Sequence, residues 1–472
     1  MKVCIIDPKG IHFGINTGIG YLAGYLREHS AVDEIKVFDF NNNTSDIEKR
    51  IKEISSYDVV GFSIKSFTLD NAMKVAREIR REGSVMIAGG PHITLDGVEF
   101  MEQHPEFDYA VMGEGELTFN LLLDAIKNKK PVDGIKGIIF RDDYGKCISN
   151  GKGDRVEDLD TIPYPAYDTF DSVQGKGIYN YPLVTSRGCP YLCTYCCVKG
   201  VIGKKWYARK VEYIIDELAM AKKKYNVDCF NVQDDVFTLD MERAKEFCDG
   251  LMKEEVELKW SCPNGIRADK VDDELMGKMH SSGCFGVAMG IESGVEAEFD
   301  AIKKGEKLDD IISAVHLAKK HNVWVFGNFI VGLPGATLAS TRESIRFAKG
   351  LGLESCIFNM IVPFPNTEVW EWVKKNGTII MDWKDGFTQG KSPKVVFDTL
   401  EFKAEDRIRA YWESNIKCKN YFCCMDEHDS LFSNIIRVLY SIVRYDFFGL
   451  PSHLLWMAKH SGRILGRILK KT

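Results

Sequence analysis

Eleven times along the chain, a short run of apolar and β-branched residues breaks off at a glycine, a serine, a proline or a carboxylate and gives way to a stretch with helical spacing. Few folds accept that alternation, because parallel strands need a covering helix to carry the chain back to the start of the next strand. Five of the runs, KVCIID, EIKVFDF, DVVGFSI, VMIAGG and YAVMGEG, precede Asp142. Residues 19–26 (IGYLAGYL) and 71–80 between them carry the 3.6-residue apolar period of helices, which predicts a doubly wound parallel sheet. The other six, from LVTSRG through CFNVQDD, LKWSCPNG, GVAMGIESG and VWVFGNFIVGLPG to CIFNMIVPFP, begin at Pro182. Their pattern predicts a full or partial β/α barrel with its active site at the carboxyl ends of the strands. The organisation expected is therefore an α/β domain over 1–145, a linker over 146–181 that contains Pro163 and Pro165, a barrel over 182–392, and a helical extension over 393–472.

Charge narrows the function. A formal net charge of -6 and a pI near 6.0 leave no excess of Lys and Arg for a phosphate backbone, so a nucleic-acid partner is not expected. Met1 runs straight into KVCIID, and Asp7-Pro8 ends that run before a signal-peptide core forms, which predicts a cytoplasmic chain. In such a reducing compartment a cluster drawn from the 14 cysteines points to metal binding or catalysis rather than to disulfides.

The densest cysteine cluster is RGCPYLCTYCC, residues 187–197, directly after the first barrel strand. Cys189, Cys193 and Cys196 stand at C-x3-C-x2-C spacing with no fourth ligand at zinc-finger distance. Three thiolates can hold three irons of a [4Fe-4S] cube and leave the fourth iron to a substrate or cofactor. The competing reading is structural zinc, which wants four closed ligands, and Cys197 sits too close to Cys196 to supply the fourth.

This triad, with Tyr195 before its last cysteine, resembles the signature of the radical S-adenosylmethionine (SAM) superfamily. The resemblance implies that the methionyl group of SAM chelates the open iron and that reductive cleavage yields a 5′-deoxyadenosyl radical. It also implies an electron donor such as flavodoxin or ferredoxin. Further strand ends match the family's SAM contacts. Asp234-Asp235 resembles the motif for the methionyl amine, Arg267 a carboxylate clamp, and Glu292-Ser293 the ribose contact. Gly327 and Gly332 lie in the glycine-containing fifth strand, which resembles the backbone approach to adenine. Ala336 replaces the acidic residue usual after the LPG proline, and in PFPNT Asn366 replaces a glycine while still tolerating a left-handed turn. Against these stand plain roles: a helix cap for either aspartate, and surface or internal ion pairs for Arg267 and Glu292.

A flavodoxin-like, Rossmann-like domain ahead of such a barrel resembles the cobalamin-binding branch of that superfamily. The D-x-H-x-x-G signature for a lower histidine ligand is absent, since Asp7 and His12 are too far apart and His92 lies in a different loop. Cobalamin contacts are expected at Ser63, Ser66, Gly89, Gly90 and Gly113, where small or hydroxyl side chains let a macrocycle and its polar tail approach. The same glycine-rich ends also suit a nucleotide.

Residues 431–443 and 454–469 carry apolar stripes flanked by Arg437, Arg444, Lys459, Arg463, Arg467, Lys470 and Lys471. Two readings stand: peripheral contact with the cytoplasmic face of an anionic membrane, or a helix pair packed on the barrel. Membrane contact would suit a lipid substrate, and a small molecule is the alternative. The expected activity is methyl transfer to an unactivated carbon. Its rivals are radical cyclisation, ring rearrangement or carbon-carbon coupling without methyl transfer, and a non-catalytic zinc- or cluster-binding regulator.

Overall fold

A computed structural model describes residues 1–10, 14–80, 83–387, 393–425 and 431–457; His12, and the second apolar stripe from residue 458 onward, lie outside the described residues. The chain divides into two compact units. The first comprises Met1–Pro190, Cys197–Asn264 and Ser281–Gly283, and the second Tyr191–Cys196, Gly265–His280 and Cys284–Thr472.

The first unit opens with five parallel strands, β1 (Lys2–Asp7), β2 (Glu34–Asp39), β3 (Val59–Ser63), β4 (Val85–Gly89) and β5 (Tyr109–Val111), in the order 2-1-3-4-5. That order places the crevice for a ligand at the point where connections switch direction. Two antiparallel strands, β6 (Ile138–Arg141) and β7 (Cys147–Ser149), extend the sheet past β5. These two were not anticipated, because their runs are short and read as the tail of a loop.

The helix Thr17–His29 starts where the Asn16 side chain accepts the Ile19 N–H at 3.3 Å. Its glycines have a packing reason. A Cβ on Gly24 would meet the Tyr164 carbonyl oxygen at 2.5 Å, and one on Gly20 would strike the Tyr167 ring at 2.2 Å. Residues 151–179 hold no strand, yet they are packed down rather than slack. Leu159, Ile162, Tyr167 and Phe170 are buried, and Tyr167 donates to the Pro182 carbonyl at 2.9 Å.

The same unit then holds β8 (Asn180–Leu183), the short antiparallel pair β9 (Ser186–Arg187) and β10 (Tyr207–Ala208), β11 (Cys229–Val232) and most of β12 (Lys259–Ile266). Strands β8, β11 and β12 are parallel neighbours and alternate with the helices Val211–Tyr225 and Met241–Lys253. A buried ion pair, Arg209 to Glu217 at 2.6 Å, sits among Tyr21 and Tyr181, whose hydroxyl donates to Glu217 at 2.7 Å. It joins the helix Thr17–His29 to the second set of repeats.

In the second unit β13 (Cys284–Glu292), β14 (Trp324–Val331) and β15 (Ser355–Met360) run parallel and alternate with the helices Leu308–Lys320 and Leu338–Leu351. The helices Ala404–Lys417 and Leu431–Asp446 follow. The protein is thus α/β, with a mostly parallel sheet first, six parallel strands of β/α repeats after it, and helices at the end. Among the described residues no helix is long and apolar enough to cross a membrane.

Candidate functional site

At the carboxyl ends of β1, β3, β4 and β5 the first unit encloses a cavity of about 370 Å³. Ser63, Gly89, Gly90 and Gly113 line it, together with Asn16 and Thr17 from the start of the first helix. Gly90 has φ 100°, and a Cβ there would lie 2.7 Å from the Ile64 carbonyl oxygen, so only glycine lets the chain turn away from the cavity floor. At Gly89 nothing lies closer than 3.6 Å to an added Cβ. Ser66 lies off the lining, with its hydroxyl 3.0 Å from His92 Nδ1.

Polar groups at the cavity are largely engaged with one another. Arg187 reaches Glu116 at 2.8 Å and Glu114 at 3.4 Å, while Arg155 reaches Glu114 at 2.8 Å. Asn16 donates to Asp7 at 2.8 Å. Burial pushes the Asp7 carboxyl up to about 6, despite the pull of Lys65 and the Asn16 bond in the other direction. The charged rim and Asn16 escaped sequence reasoning as site residues. Glu114, Glu116 and Arg187 were visible in MGEGE and RGCPYLCTYCC, but nothing local says that they pair across more than 70 positions.

The adjacent carboxylates of NVQDDVF divide their work. Asp234 is buried and accepts from Thr185 N and Oγ1 at 2.6 and 2.5 Å and from Ser186 Oγ at 2.6 Å. Asp235 lines the cavity and accepts the Gly188 N–H at 3.0 Å; burial, foremost, raises its pKa. Between them the two aspartates fix the backbone that leads into Cys189. Gly188 itself has φ 89°, and a Cβ would meet the Lys205 carbonyl oxygen at 2.3 Å, so the residue before the first cysteine has to be glycine.

Cys189 belongs to the first unit, and Cys193 and Cys196 to the second; all three are half-buried. Among the described residues no three His, Cys, Asp or Glu side chains are gathered as a metal-holding group. The donor chemistry nonetheless fits an iron-sulfur cluster, since three thiols within eight residues form the kind of ligand set such clusters use.

In the second unit the loop Tyr191–Cys196 is gripped at both tyrosines. Tyr195 donates to Glu292 Oε1 at 2.8 Å, and the Arg267 guanidinium lies 3.4 Å from the centre of the Tyr191 ring. Lys304 joins the two grips. Its ammonium contacts Glu306 at 3.0 Å, Glu292 at 3.4 Å and the Gly290 carbonyl, while Arg267 donates to the Lys304 carbonyl at 2.9 Å and to both Asp269 oxygens. Burial alone would lower the lysine, but Glu292, Glu306 and the nearby Cys193 outweigh it and hold the ammonium above its usual range. Glu292 reaches this position through a register irregularity in β13 and a left-handed φ of 65°, an uncommon conformation for a side chain of its size.

Within the second unit the structure brings Tyr195, Arg267 and Glu292 into one network, while Ser293, Gly327 and Gly332 make other contacts of that unit. Ser293 bonds Glu298 at 2.8 Å and Ser344 at 3.1 Å. Gly327 gives room to Leu353, and the Gly332 carbonyl accepts from the buried Arg407 at 3.1 Å. Lys304 and Glu306 were missed, since KKGEK reads as a solvated turn. Asn366 does take the left-handed turn, at φ 63°.

Comparison with known proteins adds two family matches: the description "Radical SAM superfamily" over residues 183–348 and "B12 binding domain" over residues 9–123. An uncharacterized methyltransferase of Pyrococcus horikoshii is 32% identical over 399 residues, covering 84% of this chain and 86% of the relative. Cytidylyl-2-hydroxyethylphosphonate methyltransferase of Streptomyces wedmorensis is 28% identical, over 78% and 80% of the two chains. Among solved structures, the radical S-adenosylmethionine methyltransferase TsrM of Kitasatospora setae, with cobalamin and a [4Fe-4S] cluster bound, shares the fold at a TM-score of 0.68 and 17% identity, over 87% and 85% of the chains.

Proposed function

Because this chain belongs to the radical S-adenosylmethionine superfamily, in the branch with an N-terminal cobalamin-binding domain, we propose that it transfers a methyl group from S-adenosylmethionine to an unactivated carbon of a hydrophobic substrate. It is a cobalamin-dependent radical enzyme, with a [4Fe-4S] cluster, S-adenosylmethionine and cobalamin as its cofactors, and it requires a reductant. When bound, these groups supply a hydrogen-abstracting radical and a transferable methyl group, chemistry that side chains do not provide.

The work left to the protein is holding and positioning. We assign Cys189, Cys193 and Cys196 to the cluster, residues 1–145 to cobalamin and residues 182–392 to S-adenosylmethionine. Ser63, Gly89, Gly90 and Gly113 present backbone and one hydroxyl to the corrinoid. Asp235 is suited to an ammonium group, and Glu292 and Arg267 hold the loop tyrosines from which Cys193 and Cys196 are presented. An electron donor such as flavodoxin or ferredoxin would supply the reducing electron.

One observation carries this reading. Asp235 both lines the cavity and fixes Gly188, so the cavity wall and the root of the cysteine loop are a single piece of structure. More of the relatives are named methyltransferases than cyclases, which favours methyl transfer, although three are named anaerobic magnesium-protoporphyrin IX monomethyl ester cyclase. The test is anaerobic reconstitution with S-adenosylmethionine labelled in its methyl group, followed by incubation with a lipid-soluble cell extract. Label should appear on the corrinoid and then in an extractable product. Extract-dependent release of 5′-deoxyadenosine with no label on corrinoid or product would overturn methyl transfer and favour cyclisation or rearrangement.

A further inference from the structure

The helix Leu431–Asp446 has two apolar faces, and among the described residues only one of them is packed inside the protein. Val438 and Ile442 are buried in a small core with Ile416, Tyr421 and Cys424, and Asn434 and Ser441 are buried on the same side. The opposite face leaves Ile435, Ile436, Tyr440 and Val443 exposed, at an angular spread of about 140° for 100° per residue. Phe447 and Phe448 follow the helix directly in the chain and are exposed, and Leu455 lies in the helical stretch 450–457 just beyond; Phe448 is 96% exposed, Leu455 74% and Ile436 51%. Large side chains concentrated this way mark an interaction surface rather than the scattered apolar groups any protein shows.

Charge decides what the surface fits. Arg437 and Arg444 fall beside the apolar arc, and residues 431–472 carry seven Lys and Arg against the single acid Asp446. The preceding 430 residues carry 55 Lys and Arg against 67 Asp and Glu, so a segment of net +6 is attached to a body of net -12. A second copy of the chain that met this face with its own would bring the same basic flank against it and be repelled. An anionic bilayer offers both matching terms, an acyl boundary for the aromatic and aliphatic side chains and acidic headgroups for the arginines.

We propose that this face is a membrane-docking surface, which seats the protein in the headgroup layer of an anionic bilayer without spanning it. Docking is separate from the chemistry of the cofactors, so it stands or falls independently of methyl transfer. The test is co-sedimentation of the anaerobically purified full chain with vesicles of phosphatidylcholine and phosphatidylglycerol in equal parts, against vesicles of phosphatidylcholine alone. The chain should pellet with the anionic vesicles and be released by high salt. Ile436→Ser with Phe448→Ser should weaken partitioning by about tenfold or more, and Arg444→Glu should weaken it less and flatten the salt dependence. Iron content and far-ultraviolet dichroism of the variants, unchanged from the parent, show that the fold persists. Equal pelleting on both vesicle types, or no response to either variant, would overturn the proposal. So would sedimentation-velocity masses of twice 53.5 kDa that fall to the single-chain value in the serine variant, since the face would then be covered by a second copy.

Discussion

The cavity of the first unit and the charge network of the second are made of opposite materials. Around the cavity, β3 and β4 end in Ser63 and Gly89 and Gly113 follows β5, and the wall is largely apolar, with Ile5, Phe62, Val111 and Phe119 among its side chains. In the second unit Arg267, Glu292, Lys304 and Glu306 pair with one another at 3.0 to 3.6 Å, and the tyrosines of the cysteine loop are held from that lattice. An apolar wall with glycines at its strand ends suits a large rigid ligand that brings its own polar groups. A lattice of paired charges suits a loop that must keep its place. The first region offers an apolar space, the second a set of paired charges, and substitutions should separate them.

The strongest separation is by cofactor. Cys193→Ala should reduce cluster iron and sulfide to background and abolish reductive cleavage of S-adenosylmethionine, while corrinoid content is retained. Gly89→Phe should do the reverse. The backbone there accepts a Cβ, so the ring would enter the cavity and weaken corrinoid binding by about a hundredfold or more with iron unchanged. Iron, sulfide and the corrinoid absorption measured on the same samples check both. Joint loss of the two cofactors in either variant would show that the regions are not independent.

Next in size is stability. Lys304→Met leaves the Glu292 and Glu306 carboxylates buried without their cation, and removal of one member of a buried ionic cluster costs about 3 kcal/mol. Ser63→Ala at the cavity edge loses only a 3.4 Å contact with Asn16 and should cost about 0.5 kcal/mol. Anaerobic denaturant titrations compare the two. If the costs are equal, the lattice is not what braces the loop.

How much of this was legible beforehand follows from the range of the interactions. The alternation that predicts β1 to β5 and the six later strands is written in neighbouring residues, so local period sufficed. The antiparallel β6 and β7 depend on pairing at the sheet edge, which their three- and four-residue runs do not announce. Strand-end glycines and the cysteine spacing were legible because they are short motifs. Lys304, Glu306 and Tyr191 were not, because their meaning arises when Lys304 meets Glu292, Glu306 meets Arg267 and Tyr191 meets Arg267, contacts that local period does not announce. The two aspartates of NVQDDVF were indistinguishable in the sequence, and only packing turns one toward Thr185 and Ser186 and the other toward the cavity.

The last test uses a carboxylate outside the charge lattice of the second unit. Asp7 is buried near the cavity with Asn16 as its hydrogen-bond donor, and burial lifts its pKa to about 6 from the ordinary value near 4. The folded chain therefore keeps this proton at pH values where the unfolded chain has lost it. The stabilisation from protonated Asp7 is fully present below about pH 4 and is lost as pH rises through about 6, a swing of about 3 kcal/mol. Asp7→Asn preserves the acceptor for Asn16 and cannot ionise. Stability differences between the variant and the parent, taken from urea titrations at intervals across this range, should therefore grow in the variant's favour as the pH rises. A difference that stays flat with pH would mean that Lys65 offsets the burial of Asp7 in full, and that the first unit, too, relies on paired charge at its centre.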